Sequence, residues 1–378
     1  MTPPSIHYVS HFWPTGYGTA GRRLFRALAD LGVPLQWTPI EFDNEDPLLP
    51  PGKPSDLDLD PFRTVELSPD VVVLHSVPEL LPALRHLCPR GAALVLHTVW
   101  EHEVLQPHWP QLLNQFDGII VPTEWNAAAF REGGVKVPVE VVPHVASSEA
   151  CDSRWLDEPP ISAGDSFMVH SIATWSARKA PWIALDVFAR AFGVKDDALM
   201  VLRTSPFLDS ELPSPPGPAN RTRSTSWSAA EILHRHSPSA RLHLATGLRS
   251  FEEIQGLHAR SNCWLSLPHA EGWDLGAFDA AVAGTPVITT GHGGPLAYLD
   301  PDASVLIDGE FAPLASLPGA SWVEPDTDAA VAALRAVYAC PDTFLDQARR
   351  QGERLRTTHS PDAIGRQFLA ALTRMGIT

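Results

Sequence analysis

The stretch from His269 to Gly294, HAEGWDLGAFDAAVAGTPVITTGHGG, contains the residues whose types and spacing best suit chemistry. Glu271 and Asp279 stand eight positions apart, one in a loop and one inside the short helix predicted to follow it. Between them, Gly272 and Gly276 allow the backbone to approach a ligand closely. The helix opens directly after the loop, so its unpaired N–H groups favour an anion. Carboxylates beside bare amides suit a ligand with hydroxyls at one end and phosphate at the other, which describes a sugar nucleotide. The alternative is a surface loop with two chance acids.

A second candidate is the basic pair Arg178-Lys179 in the segment TWSARKAP, which follows a predicted strand and opens a predicted helix. Pro181 suits the first turn of that helix. Two cations at a helix N-terminus predict a diphosphate site, and the alternative is a solvated basic pair. Arg203, at the end of the next predicted strand, is a further candidate cation.

The N-terminal segment HFWPTGYGTAGR places Gly16, Gly18 and Gly21 in the pattern G-x-G-x-x-G. This pattern alone indicates a dinucleotide site. Two features disfavour that interpretation: Gly16 does not follow the predicted strand Ile6–Ser10 at once, and the candidate ribose acid, Glu41, comes too late. A glycine-rich loop beside a ligand phosphate is the favoured interpretation, and a plain turn is the remaining one.

The segment HTVWEHE follows the predicted strand 93–97 and contains His97, Glu101 and His102. It differs from the zinc pattern H-x-x-E-H, because His97 is one residue too far from Glu101 and no helix is predicted there. Zinc is therefore not expected. These side chains are candidates for substrate contact, and the alternative for His97 is a structural role.

The acids Asp56, Asp58 and Asp60 form a D-x-D pattern, which also half-matches a calcium loop. Pro61 stands where that loop requires glycine, and no strand leads into the segment. We interpret it as a solvated acidic loop, and the sequence predicts no metal site.

Composition limits the partners. The 378 residues carry 28 basic and 44 acidic side chains, a net charge of −16, which disfavours nucleic acid and anionic membranes as non-specific partners. The four cysteines have neither metal-ligand nor disulfide spacing, and reduced thiols are expected. The N-terminus lacks the pattern of a signal peptide, and no apolar run approaches about 18 residues. A soluble, cytoplasmic protein is expected, with peripheral membrane contact still allowed.

Strands and helices alternate along the chain, which predicts α/β architecture with parallel, doubly wound sheets. The 44% hydrophobic content is enough for two cores. We expect one Rossmann-like domain over 1–150 and another over 165–358, with a linker at 146–165. A final helix at 360–378 is expected to pack back on the first domain. The Pro- and Ser-rich stretch 205–228 is expected to be a loop.

Taken together, these motifs resemble the retaining GT-B glycosyltransferases of family 4, in which the donor motif reads Glu, seven residues, Glu, then an Ala-rich helix and Gly-Thr-Pro-Val. Here the second acid is Asp279, and GTPV occupies 284–287. Arg178-Lys179 resembles the family's Arg-Lys-Gly signature with Ala180 in place of glycine. The resemblance implies two facing domains across a cleft and transfer of a hexosyl unit from a UDP- or GDP-sugar to an acceptor hydroxyl, with retention and without metal or cofactor.

The resemblance also implies roles for individual residues. The catalytic set is Glu271, Lys179, Arg178 and His97. Glu101 and His102 belong to the acceptor side. The donor-binding residues are Gly16, Gly18, Gly272, Trp273, Asp274, Leu275, Gly276, Asp279 and Arg203. The acceptor is a small molecule, a glycan or a lipid-linked sugar. Two alternatives stay open: a non-catalytic protein that binds sugar nucleotides, and a nucleotide-sugar epimerase or hydrolase on the same fold.

Overall fold

A computed structural model describes residues 3–41, 47–48, 58–205, 225–236, 240–247 and 249–377. The chain divides into two compact units. Unit 1 comprises Met1–Ala146, Ala315–Ala320 and Thr357–Thr378, and unit 2 comprises Ser147–Leu314 and Ser321–Arg356.

Unit 1 contains a six-stranded parallel sheet of buried, apolar strands. Its strands are β1 (Ile6–His11), β2 (Leu35–Ile40), β3 (Val71–His75), β4 (Ala93–His97), β5 (Gly118–Val121) and β6 (Val139–Val141). Their order is β2-β1-β3-β4-β5-β6, which extends the flavodoxin-like arrangement by one strand. The order reverses between β1 and β3, so this is the place where a ligand crevice is expected.

Helices cover the sheet of unit 1 because parallel strands that are apolar on both sides must be shielded from water. They are α1 (Gly16–Asp30), α2 (Leu81–Leu84), α3 (Trp109–Leu113), α4 (Glu124–Glu132) and α11 (Pro361–Arg374). The last helix returns from the end of the chain to pack on α1, where Gly365 approaches Leu31 closely.

Unit 2 contains a second six-stranded parallel sheet. Its strands are β7 (Phe167–Ile172), β8 (Ala198–Arg203), β9 (Arg241–Ala245), β10 (Cys263–Ser266), β11 (Val287–Thr290) and β12 (Ser304–Ile307). Their order is β9-β8-β7-β10-β11-β12, which is the doubly wound dinucleotide-binding arrangement with its switch point between β7 and β10.

The helices of unit 2 are α5 (Pro181–Ala191), α6 (Thr225–His236), α7 (Phe251–Arg260), α8 (Leu275–Ala283), α9 (Thr327–Ala339) and α10 (Pro341–Thr358). An antiparallel hairpin of β13 (Gly309–Pro313) and β14 (Ser321–Pro325) completes the unit. The sequence predicted neither this hairpin nor β2. The two α/β sheets confirm the predicted fold class, whereas the cleft between domains stays a prediction.

Two local predictions are wrong. Helix α6 begins at Thr225, inside the stretch expected to be loop, of which 206–224 lies outside the described residues. The expected linker at 146–165 is packed over much of its length, since Trp155, Leu156 and Ile161 are buried against the core of unit 2.

Within the described ranges, we find no helix that is both long and apolar enough to cross a membrane.

Candidate functional site

The two motifs singled out for donor chemistry follow the neighbouring strands β7 and β10. These strands are adjacent in the sheet although about a hundred residues separate them in the sequence. Their carboxyl ends flank the switch point, where crossovers leave in opposite directions and open a crevice. The strand order therefore brings the loops at 173–180 and 267–274 together.

Hydrogen bonds join the two loops directly. The backbone N–H of His269 donates to the carbonyl of Arg178 at 2.9 Å. The His269 Nδ1 donates to the carbonyl of Ala177 at 2.7 Å, and the Arg178 guanidinium donates to the carbonyl of Ala270 at 3.0 Å. Each loop thus fixes the backbone of the other, which holds the charged side chains in a defined position.

A buried carboxylate lies at the centre of this junction. The side chain of Glu271 is only 5% exposed, and its Oε1 lies 3.1 Å from an Arg178 guanidinium nitrogen and also contacts Lys179 Nζ. Burial alone would raise the pKa of Glu271, but the charges of Lys179 and Arg178 outweigh it and lower the pKa below its ordinary value. Glu271 is therefore ionised at neutral pH and orients both cations.

The sequence predicted that the N-terminus of α8 presents unpaired N–H groups, but in the structure one of them already has a partner. Asp274 is the N-cap of this helix, and its Oδ1 accepts a hydrogen bond from the N–H of Ala277 at 3.3 Å. Its backbone is left-handed, with φ of 62°. Burial and the charge of Glu271 raise the pKa of Asp274 to about 6. A carboxyl group therefore occupies part of the expected anion site.

Packing explains why position 276 is a glycine, which the sequence did not indicate. A Cβ at this position would lie 2.4 Å from the buried ring of Trp264, so glycine is required for packing. Trp273, predicted to bind the donor, is buried against Phe278 and Tyr298, with ring centroids 5.0 and 4.7 Å away. Its side chain supports the loop from beneath.

The remaining donor-binding candidates of unit 2 are Gly272, Leu275, Asp279 and Arg203. Gly272 is buried beneath the turn that contains Gly294, a glycine whose Cβ would lie 2.2 Å from the Gly272 backbone. Asp279 is buried inside α8, and Leu275 begins that helix half-exposed. Arg203 ends β8, one strand further from the switch point, where burial and the charge of Arg249 lower its pKa.

Ala180 is the N-cap of α5 in a left-handed conformation, with φ of 39°. This conformation costs a residue with a side chain about 1–2 kcal/mol relative to glycine. The backbone shape that the Arg-Lys-Gly signature implies is thus kept here by an alanine, so the substitution does not remove the turn.

The carboxyl edge of the sheet in unit 1 is lined by histidines on three adjacent strands. His11 ends β1, His75 ends β3 and His97 ends β4. The rings of His75 and His97 stack with centroids 4.0 Å apart and an interplanar angle of 16°. Neither ring nitrogen of His97 has a hydrogen-bond partner among the described residues.

The imidazoles of His75, His97 and His144 are neutral at pH 7. Burial lowers the pKa of His97 to about 3. Burial, followed by the charges of neighbouring histidines, holds the pKa of His75 well below its ordinary value. The same is true of His144, which also faces Arg23. A neutral imidazole buried without a partner has one donor and one acceptor to offer to a polar substrate group.

The glycine motif and the segment after β4 meet at Tyr17. Its hydroxyl lies 3.1 Å from the hydroxyl of Thr98 and donates to the carbonyl of Val99 at 3.2 Å. Burial and the charge of Glu101 raise the pKa of Tyr17. His102 is buried beside Trp100, with ring centroids 5.5 Å apart. The structure therefore places the predicted acceptor-side residues beside the start of α1.

The predicted glycine-rich loop is the first turn of α1. Gly16 is the first residue of that helix, and Thr15 caps it by accepting a hydrogen bond from Gly18 N at 3.2 Å. A Cβ on Gly18 would lie 1.8 Å from the carbonyl oxygen of Trp13, whereas a Cβ on Gly16 would meet no atom within 4 Å. Only Gly18 is required by the local backbone.

The acidic D-x-D segment is partly ion-paired. Asp58 lies 2.7 Å from Arg22, and Asp60 lies 3.3 Å from Arg63, while Asp56 lies outside the described residues. In the part of the chain that the structure describes, no group of three or more His, Cys, Asp and Glu side chains is arranged to hold a metal ion. Metal independence stays a prediction.

Several polar residues at these edges were not selected from the sequence: Asp274 as a cap, Tyr17, His11, His75 and Ser76. The Nε2 of His11 lies 2.9 Å from the Ser76 hydroxyl. Their signal was present, because His11 and His75 each end an apolar strand, as His97 does. Polar residues at the carboxyl ends of neighbouring strands are candidates by that position alone.

Solved structures share this architecture. HepE from Anabaena, solved in complex with UDP and glucose, matches with a TM-score of 0.66 at 13% identity over 98% of this chain and 100% of that chain. Sucrose-phosphate synthase from Thermosynechococcus elongatus matches with a TM-score of 0.67 at 15% identity over 99% of each chain. OtsA in its apo form gives 0.64 at 12% identity, over 97% of this chain and 99% of that chain.

No family model matches the chain, and no curated protein does. At these identities the structural matches define the fold alone. The architecture is that of the GT-B glycosyltransferases, with two parallel six-stranded sheets flanked by helices.

Proposed function

We propose that the chain is a retaining, metal-independent glycosyltransferase of the family 4 type. It moves a hexosyl unit from a UDP- or GDP-sugar to an acceptor hydroxyl. The observation that carries this proposal is the buried Glu271, ion-paired with Arg178 and Lys179 at the β7–β10 switch point. That HepE, a structural neighbour, was solved with UDP and glucose supports a nucleotide-sugar donor.

The proposed chemistry follows from the charges. When the bond between the anomeric carbon and phosphate breaks, negative charge develops on the leaving diphosphate. Preorganised cations stabilise such charge most effectively. Arg178 and Lys179 serve this role, because Glu271 and the loop hydrogen bonds already hold them in place. The leaving phosphate takes the acceptor proton, so the mechanism needs no side-chain base.

Glu271 holds hydroxyls of the donor sugar in this proposal, and Asp279 holds the ribose. The acceptor belongs to unit 1, where His97, Glu101 and His102 follow β4. His97 acts there as a neutral hydrogen-bonding group, because an imidazole with a pKa of about 3 is not protonated to imidazolium at pH 7.

The test is to incubate the purified chain with UDP-glucose and, separately, GDP-mannose, and to measure nucleotide release with and without candidate acceptors. Acceptor-dependent release is expected, unchanged by EDTA, and proton NMR of the product reports the anomeric configuration. Nucleotide release that requires a divalent ion would contradict the proposal that the transfer is metal-independent. Release that is equally fast without any acceptor would indicate a hydrolase.

A second candidate is a non-catalytic protein that binds sugar nucleotides. The observation in its favour is Asp274, whose carboxyl already takes the Ala277 amide that a catalytic phosphate site would present. Thermal shift separates the two candidates, because a ligand that binds the folded state raises its melting temperature. Stabilisation by a donor without nucleotide release under any acceptor condition would favour the binding protein.

A further inference from the structure

Asp274 stands out because its carboxyl group is buried where the diphosphate of a donor is expected. The residue is 4% exposed, and its left-handed backbone directs it across the N-terminus of α8. One oxygen, Oδ1, accepts the hydrogen bond from Ala277 N. The other, Oδ2, is buried and has no hydrogen-bond partner among the described residues. A buried polar atom without a partner is costly, so a bound ligand is the natural partner.

The charges around Asp274 do not favour an additional dianion. Glu271 and Asp274 offset Lys179 and Arg178, so these four groups sum to zero when all are ionised. Both cations already contact Glu271. The diphosphate of a nucleotide sugar would bring two negative charges beside an ionised Asp274, and like charges at close range in a buried site repel strongly.

We propose that Asp274 takes up one proton when a nucleoside diphosphate sugar binds, and that its neutral carboxyl group then donates a hydrogen bond from Oδ2 to a phosphate oxygen. This inference rests on the proposed function. The proton comes from solvent and stays on the carboxyl group, and no other bond forms or breaks. A protonated carboxylic acid is a hydrogen-bond donor, whereas the carboxylate can only accept.

Glu271, Lys179 and Arg178 are the charged groups whose electrostatic interactions act on Asp274. Lys179 and Arg178 supply the positive charge to Asp274, whereas the charge of Asp279 acts on the neighbouring Tyr298. The pKa of Glu271 is lowered, so it stays ionised. The hydroxyl of Tyr298 donates to the Asp274 carbonyl at 3.0 Å, and burial raises its pKa, so it stays protonated.

Protonation of Asp274 also sets how donor affinity depends on pH. The pKa of Asp274 is about 6 in the free chain, so most of it is ionised at pH 7. A bound dianion raises that pKa further and favours the protonated form. Donor affinity is therefore highest below pH 6 and falls as the pH rises, by up to about tenfold per pH unit.

The experiment is calorimetric titration of the full chain with UDP-glucose and with GDP-mannose at pH 7, in two buffers of different ionisation enthalpy. Wild type is expected to take up close to one proton per donor bound, because a group with a pKa of about 6 is mostly ionised at pH 7 before the donor binds. Asp274→Asn keeps the cap and donates a hydrogen bond without titrating. It is expected to take up no proton and to bind with the same affinity from pH 6 to pH 8.

The matched control is Asp326→Asn, which alters the exposed N-cap of α9 in the same way. Its proton uptake should equal that of wild type. Donor binding without proton uptake in wild type, or an unchanged pH dependence in Asp274→Asn, would overturn this inference and leave the proposed function standing. If neither donor binds wild type or Asp274→Asn, the proposed function and this inference fail together.

Discussion

The carboxyl edges of the two sheets are built from opposite chemistry. In unit 2 the switch point holds Glu271, Asp274, Lys179 and Arg178, which are buried or partly buried charges. In unit 1 the corresponding edge holds histidines that burial keeps neutral, together with the hydroxyls of tyrosine, serine and threonine. One edge suits a charged ligand group, and the other suits hydroxyls.

The two carboxyl edges show how one type of sheet supports two kinds of ligand recognition. Parallel strands bring loops together at the same edge regardless of what the loops contain. In unit 2 the loops after β7 and β10 supply opposite charges that neutralise one another. In unit 1 the strand ends themselves supply the polar groups, and their burial removes charge by lowering pKa values. Function on this fold is therefore decided by the residues at the strand ends.

The largest effect is expected from the acid at the centre of the charged edge. Glu271→Gln removes the carboxylate that orients both cations and, in our proposal, holds the reacting sugar. Turnover should fall by about 10²–10³-fold, the usual cost of losing one preorganised group that acts in the transition state. Asp279→Asn should instead raise the donor KM with little change in kcat, since the ribose does not react. Steady-state kinetics at varied donor concentration measures both.

Asp279→Glu is the control for this pair, because it keeps the charge and should retain donor binding. Circular dichroism of each variant separates a catalytic loss from a folding defect. The assignment of roles would be reversed if Glu271→Gln weakened donor binding alone while Asp279→Asn reduced turnover.

A smaller effect is expected for Lys179→Ala. Loss of one charge-assisted contact to the diphosphate costs about 1.5–3 kcal/mol, which corresponds to a donor Kd roughly 10- to 150-fold higher. Lys195→Ala removes an exposed lysine of the same unit and is the matched control. Calorimetric titration with UDP-glucose compares them. Equal affinity in the two variants would mean that the charged edge is a structural ion pair and not a ligand site.

Periodic elements were the most predictable part of the fold. The predicted strand 93–97 is β4 with the same bounds, and the predicted strand Ile6–Ser10 is β1 without its last residue, His11. Buried strands and capped amphipathic helices carry their own signal. The first turn of α1 was not predicted because glycine disfavours helices, although Thr15 caps that turn. Helix α6 was missed because a Pro- and Ser-rich stretch precedes it.

The site was predictable in its charges and not in its geometry. Glu271, Arg178 and Lys179 were selected from motif resemblance, and the strand order explains why they meet. The sequence could not show that Asp274 has a positive φ and caps α8, because residue type alone does not determine backbone conformation. It also could not show that the ring of Trp273 packs against Tyr298. The stacking of His75 on His97 requires the strand order, which one sequence does not give.

The two glycines at the start of α1 are expected to differ in how much stability they contribute. Gly18→Ala should destabilise the protein by about 1–3 kcal/mol, because its Cβ would overlap the Trp13 carbonyl. Gly16→Ala should be neutral or stabilising by up to about 1 kcal/mol, since alanine is the better helix former and nothing lies near its Cβ. Thermal melting compares the two. If Gly16→Ala melts like wild type yet loses donor affinity, Gly16 faces the ligand; equal destabilisation by both would contradict the packing argument.

The neutral edge is tested by pH. Because burial depresses the pKa of His97 to about 3, the unfolded chain binds a proton there between pH 6.5 and 3 while the folded chain does not. That histidine therefore lowers stability as the pH falls through this window, by about 1.4 kcal/mol per pH unit. His97→Phe keeps a ring to stack on His75 and cannot titrate. We expect its free energy of unfolding to match wild type at pH 7.5 and to exceed it by about 3 kcal/mol at pH 4.5. Urea unfolding at both pH values measures this. Parallel stability curves for the two proteins would mean that His97 takes up a proton as readily in the folded as in the unfolded chain, so that burial does not keep this edge neutral.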